Sequence, residues 1–237
     1  MKYSSIVEGK FIERPNRFIA AVEIDGKVES AHVKNTGRCK ELLVSGARVF
    51  LEDFEGRMGV RKMRYSLIGV EKQTSSSSIM INMDSQAPNK VVKEELENNL
   101  IIPQGLQNIE YVKSEYTYGA SRIDFYMKDK NGREALVEVK GVTLENDGVA
   151  AFPDAPTERG IKHIEELIKA RREGYAAAII FVIQMKNVHL FMPNYVTHPE
   201  FGETLKKAQR EGVEIMAYDC LVEKESLLID KPVKIKL

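Results

Sequence analysis

Tryptophan is absent from the 237-residue chain, and cysteine occurs only twice. Without tryptophan, and with Phe18, Phe50, Phe54 and Tyr65 mostly in core-like alternation, few rings are left to stack on sugars or bases, which speaks against an oligosaccharide-binding module. Cys39 and Cys220 show neither CxxC nor CxxH spacing, so no zinc site or disulfide framework is indicated and two buried free thiols are expected. An excess of charge is lacking too. The 35 basic residues balance 35 acidic ones, so attraction to nucleic acid has to come from local patches. No apolar run approaches the roughly 20 residues that span a bilayer, and the start, MKYSSIVEGKF, has no signal-peptide core. A cytoplasmic protein without a membrane partner is expected. Hydrophobic residues at 43% and charged residues at 30% are ordinary for a soluble globular chain, large enough for two small domains or one large one.

What the chain does have is an acid pattern between Ser121 and Lys140, SRIDFYMKDKNGREALVEVK, where Asp124 is followed fourteen residues later by Glu138-Val139-Lys140. Two acids and a lysine two residues beyond the second can cut phosphodiesters when they share one face of a hairpin. Turn length decides whether they do, because side chains alternate along a strand and cross-strand partners point the same way. A two-residue Asn131-Gly132 turn would set Asp124 opposite Val139; a three-residue loop of Lys130, Asn131 and Gly132, with Gly132 left-handed, sets it opposite Glu138. The apolar pattern selects the second register. It groups Ile123, Phe125 and Met127 with Val139, Val137 and Ala135 on a core face, and leaves Asp124, Glu138 and Lys140 on the other. Two adjacent carboxylates repel, and a divalent cation between them, Mg²⁺ or Mn²⁺, keeps both ionised. Lys140 can then orient or deprotonate a water whose pKa the cation lowers. The competing reading is an exposed face of ordinary charges with Lys128 and Glu134 as a surface ion pair.

Residues 1–85 read as short strands separated by turn signals: Phe11-Ile12, Arg17 to Ile24, Lys27 to Val33, Arg48 to Phe54 and Arg64 to Val70, broken at Arg14-Pro15-Asn16, Asp25-Gly26 and Glu55-Gly56. With Lys40 to Val44 as a short helix, five strands match a small barrel of the OB type. Arg14, Arg17, Lys34, Arg38, Lys40, Arg57, Arg61, Lys62 and Arg64 lie at strand ends and loops, where they can contact phosphates or guard an edge; Arg38, Arg61, Lys62 and Arg64 are taken as candidate DNA contacts. Asn35-Thr36-Gly37-Arg38 reads as a polar turn and Ser75 to Ser78 as a loop, followed by a strand from Ile79 to Met83. The domain boundary is expected near residues 84 to 90, dividing the chain into 1–85 and 86–237.

Beyond it, NKVVKEELENNL predicts a helix capped by Asn89, with Val92, Leu96 and Leu100 at helical spacing and Glu94 inside it. Val142 to Ala151 should cross toward a helix beginning at Thr157, on which Arg159 and His163 stand four apart and share a face with Glu166. Arg159 can hold a phosphate, and His163 can bind phosphate or assist proton transfer; Asp154 is a further acid or a turn-maker. YAAAIIFVIQM, from Tyr175, has the continuous apolar character of a central strand covered on both faces, and a helix from Glu200 to Arg210 with a strand from Val213 complete a βαβ unit.

The segments SRIDF, VEVKGVTL and FPDAPTERGIKHIEEL, with Asn35-Thr36-Gly37, Asn89, Glu94 and Gly212-Val213-Glu214, resemble the sugar fermentation stimulation protein family over nearly the whole chain. The resemblance implies a mixed α/β protein in which an OB-fold β-barrel precedes a domain similar to PD-(D/E)XK nucleases, with DNA as partner. It also implies an auxiliary carboxylate role for Glu94. The resulting expectation is a DNA-binding protein, RNA left open, with a divalent-metal-dependent nuclease site. In it Asp124 and Glu138 ligate the metal, Lys140 acts on water, Glu94 assists, and Arg159 and His163 serve phosphate. The alternative is a non-catalytic DNA-binding regulator of sugar metabolism genes.

Overall fold

Asp25 and Gly26 both take left-handed φ angles, 49° and 73°, as a two-residue type I′ turn demands, and they join the hairpin of Ile19–Ile24 with Lys27–Val33 in the computed structural model, which describes residues 1–35, 37–74 and 77–237. The flanking strands belong to a set of five, β1 (Ile6–Asn16), β2 (Ile19–Ile24), β3 (Lys27–Val33), β4 (Arg48–Asp53) and β5 (Tyr65–Gln73). β1 bonds to both β2 and β4, β4 to β5, and a parallel pairing of β3 with β5 at Ala31↔Tyr65 and Val33↔Leu67 closes the sheet into a barrel. Gly9 sits where β1 serves both neighbours; a Cβ there would stand 2.8 Å from the Glu23 carbonyl oxygen. Phe11, Val22, Ala31, Val49, Leu51 and Leu67 fill the interior.

Residues 40–44 form a turn rather than the expected helix. Cys39, at φ 43°, cannot begin a right-handed helix, and the Leu42 and Leu43 amides both donate to its carbonyl. Five residues are too few to offset helix nucleation. Thr36, Ser75 and Ser76, within the expected turn and serine loop, lie outside the described residues; β6 (Ser78–Asn82) then extends the sheet beside β5.

The rest of the chain runs α1 (Ala87–Glu97), β7 (Ile109–Tyr118), β8 (Ser121–Asp129), β9 (Glu134–Val142), β10 (Leu144–Asn146), β11 (Val149–Phe152), α2 (Glu158–Arg172), β12 (Ala176–Ile183), β13 (Leu190–Pro193), α3 (Pro199–Arg210), β14 (Glu214–Val222), β15 (Leu227–Pro232) and β16 (Lys234–Ile235). Its main sheet has the order β15-β14-β12-β9-β8-β7, with β12 parallel to β9 and β14 and the remaining pairs antiparallel. Every residue of β12 is buried. Ala177, Ile179 and Phe181 pack with Ile164 and Leu167 of α2 and Phe201 and Leu205 of α3; Ala178, Ile180 and Val182 pack with Val91, Val92 and Leu96 of α1. Coverage of both faces explains the unbroken apolar run. The architecture is the expected mixed α/β one, an OB-like barrel closed by five strands followed by an α/β domain built on a six-stranded sheet. Both cysteines are free and buried, as expected.

The segment 142–151, expected to cross directly to the helix, instead contains the hairpin β10–β11 around Asp147-Gly148, and this pairs through β11 with β13 in a second, four-stranded sheet. On it Glu145 binds Lys72 of the barrel at 2.6 Å and accepts from the Gly148 amide at 2.6 Å. Burial pushes the Glu145 carboxyl up, but Lys72 and the Gly148 amide outweigh that and hold it below the usual carboxylate range. Glu145→Ala should therefore cost about 2 kcal/mol at pH 7, since it leaves the part-buried Lys72 ammonium only the Glu145 carbonyl oxygen and leaves the Gly148 amide without its acceptor. A group with a lowered folded pKa stabilises above its unfolded value of about 4.3, and the contribution fades as pH falls through the folded value. Urea midpoints should show the penalty shrinking below pH 4; an equal penalty at pH 7 and pH 3 would contradict this assignment.

Candidate active site

The hairpin between β8 and β9 is set by Asp129. Its carboxylate accepts from the amides of Asn131 (2.8 Å), Arg133 (2.9 Å) and Gln107 (3.0 Å), while its carbonyl accepts from Gly132, which is left-handed at φ 78°. Residues 130–132 thus form the three-residue loop, and the ladder reads Lys128↔Glu134, Met127↔Ala135, Tyr126↔Leu136 and Phe125↔Val137, which brings Asp124 level with Glu138. The ladder stops at Phe125. Beyond it the strands part, and the Val139 amide donates instead to Asp124 Oδ2 at 2.8 Å. The gap opens into a cleft of about 460 Å³ lined by Asp124, Glu138, Lys140, Arg159 and His163, with Asn89, Lys90 and Lys93 from α1 and Ser114 and Glu115 from β7 among the other walls.

Asn89 Nδ2 donates to Asp124 Oδ1 at 2.7 Å. Burial, then the charge of Glu138, raises the Asp124 carboxyl above its usual range against these two donors and Lys140. Glu138 is 2% exposed and unevenly used: Oε1 takes both Lys140 Nζ and His163 Nδ1, each at 2.5 Å, whereas Oε2 is buried without a hydrogen-bond partner. Burial pushes this carboxyl up too, but the His163 hydrogen bond and the Lys140 charge prevail and hold it below the usual range. His163 Nε2 in turn lies 3.3 Å from Arg159 Nε. Thr157 Oγ1, accepting from the Gly160 amide at 3.1 Å, caps α2 where expected and so fixes which face carries Arg159 and His163.

A buried carboxylate oxygen with nothing to bind, beside a second carboxylate, fits a hard divalent cation. Among the described residues no group of three or more Asp, Glu, His or Cys side chains is arranged to hold a metal ion, so side chains supply at most these two carboxylates. The donor set is therefore open, with positions left for water and phosphate.

The structure does not bring every candidate residue to the cleft. Glu94 binds the Met1 amine at 2.8 Å, and α1 starts at Ala87, with Pro88 in its first turn. Asn89 is therefore inside the helix rather than its cap, leaving its amide for Asp124. On the barrel, Arg64 is bound bidentately to Asp53 at 2.7 Å and 2.7 Å and also to Glu55; Arg61 bonds to Ser66 and lies 3.7 Å over the Phe54 ring; Arg38 and Lys62 are exposed. None of these lines the cleft. Glu166 packs against Gly119 and Asp154 against Gly37, so neither shares the site.

Lys90, Lys93, Ser114 and Glu115 are not legible from sequence as cleft residues. The cap lies three residues earlier than expected, and residues 86, 89, 90 and 93 line the cleft together. Glu115 faces Asp124 across the β7–β8 pair and is left-handed at φ 57°, which no sequence pattern announces. Strand alternation slips at this level: Ile123, expected with Phe125 and Met127, packs instead in the cluster containing Ile164 and Leu167 of α2.

A family model described as "Sugar fermentation stimulation protein RE domain" matches residues 86–226, and one described as "SfsA N-terminal OB domain" matches residues 12–81. The chain is 52% identical over 239 residues to a sugar fermentation stimulation protein homolog of Desulfitobacterium hafniense, covering 100% of this chain and 99% of the relative. With the homolog of Clostridium beijerinckii it shares 55% over 230 residues, 97% of this chain and 96% of that one. The solved structure of Pyrococcus furiosus SfsA in complex with Ca²⁺ superposes with a TM-score of 0.87 at 31% identity, covering 100% and 98% of the two chains.

Proposed function

The chain belongs to the sugar fermentation stimulation protein family, and we propose that it binds DNA and hydrolyses phosphodiester bonds in this cleft with Mg²⁺ or Mn²⁺. The bare Oε2 of Glu138 beside Asp124 carries the reading. A divalent cation held by Asp124, Glu138 and the Val139 carbonyl would supply an ionised water and neutralise charge on the phosphorus oxygens. The Ca²⁺ complex of the Pyrococcus furiosus relative supports a hard cation as ligand. Lys140, held on Glu138 Oε1 and 15% exposed, would orient that water and move its proton. Lys90, Lys93 and Arg159 give the cleft cations for phosphates on either side of the cut. Asn89 and the Val139 amide fix Asp124. No helix among the described residues is long and apolar enough to cross a membrane; we place the protein in the cytoplasm, with residues 1–85 as the barrel domain and 86–237 as the nuclease-like domain.

Incubation with labelled single- and double-stranded DNA should give fragments with Mn²⁺ and none with chelator. Binding without cleavage on either substrate would replace this reading by that of a non-catalytic DNA-binding regulator.

Pairing inside the barrel changes what its arginines should do. Lys90→Ala and Arg159→Ala should each flatten the slope of log K against log salt by about 0.9 for every duplex phosphate left without its cation. Arg64→Ala should leave the slope unchanged, because its guanidinium is already neutralised by Asp53 and Glu55. A flatter slope in Arg64→Ala alone would move the DNA path onto the barrel.

A further inference from the structure

We propose that His163 is a positioning residue: it aims Glu138, and it neither binds phosphate nor transfers a proton in the reaction. The inference rests on the reading of the cleft as a cation-dependent site. An arginine Nε can only donate, so the ring nitrogen it faces, His163 Nε2, must accept. The single ring proton then sits on Nδ1 and is donated to Glu138 Oε1. The tautomer follows from the neighbours, and both nitrogens are engaged within the protein. At 5% exposure the ring has no third polar atom to offer a substrate.

With Lys140 also on Oε1, every donor to this carboxylate lies on one oxygen, which holds the Glu138 side chain in place and leaves Oε2 buried without a partner. Arg159 is oriented by the same hydrogen bond. Its Nε is spent on His163, it makes no other hydrogen bond among the described residues, and its exposed Nη1 and Nη2 are left as a fork for phosphate oxygens.

Two measurements that need no cleavage test this. Long-range ¹H–¹⁵N correlation spectra, with the His163 signal assigned by its loss in His163→Asn, should show Nδ1 protonated and Nε2 bare. Mn²⁺ titration calorimetry should then find His163→Asn close to wild type, because its amide replaces the Nδ1 donor, and His163→Gln weakened about 10- to 100-fold, because its amide falls at the Nε2 position. DNA affinity in chelator should survive both substitutions. A ring protonated on Nε2, or equal Mn²⁺ affinity in the two variants, would overturn the positioning role; so would a loss of DNA affinity in both with Mn²⁺ binding intact. Should His163→Gln fail to fold, the wild-type tautomer still decides. Failure of the nuclease reading looks different: no cleavage by the wild type, with the tautomer and the Asn–Gln contrast as expected.

Discussion

Lys140→Ala is expected to lower Mn²⁺-dependent cleavage about 10³-fold, within the usual range for loss of a general acid or base, while DNA affinity measured in chelator stays near wild type. The separation follows from where the ammonium sits. Lys140 is largely buried and bound to Glu138 Oε1, and in the proposed mechanism it acts on the reacting water rather than on bound DNA. Lys140→Arg should not restore the rate, because a planar, always-protonated guanidinium can neither occupy the same space nor accept a proton. Equal losses of DNA affinity and rate would make Lys140 a phosphate ligand instead. Mn²⁺ titration separates a third case, in which Glu138 loses its orientation along with its partner.

Asp124→Asn and Glu138→Gln should each weaken Mn²⁺ binding by at least 10-fold, and their cleavage should fall with it. Each removes one of the two carboxylates proposed to hold the cation, and among the described residues no group of three Asp, Glu, His or Cys side chains is arranged to hold a metal in their place. Glu94→Gln is the matched control. Its carboxylate is bound to the Met1 amine, so the substitution should leave Mn²⁺ affinity unchanged. A Glu94 effect as large as that of Asp124 would mean that α1 shifts when the cation binds.

The hairpin register is legible in the sequence because one apolar pattern and one glycine settle it. Only the three-residue loop, closed by left-handed Gly132, buries Phe125, Met127, Val137 and Val139 together, and it brings Asp124 to Glu138. The cap at Thr157 sets the phase of α2, and with it Arg159 and His163. The start of α1 is harder to read because Asn89 has the chemistry of a cap, while Gln86, the residue that occupies the cap position, makes no capping hydrogen bond. That offset of three residues puts Asn89 on the cleft face of the helix beside Lys90 and Lys93. The hydrogen bond between His163 and Glu138 joins residues 25 apart on different elements, and local periodicity does not encode such a distance. The pairing of Arg64 with Asp53 is hidden in the same way, since a basic cluster reads as free charge until its acids are placed.

Crystals grown with Mn²⁺ and measured at the manganese absorption edge test the central claim most directly. The expected result is one anomalous peak in the cleft, touching Asp124 and the Oε2 atom of Glu138, and absent from Glu138→Gln crystals. A map with no peak between these carboxylates at millimolar Mn²⁺, or an undiminished peak in Glu138→Gln, would contradict the assignment of the cleft as a cation-dependent phosphodiesterase site.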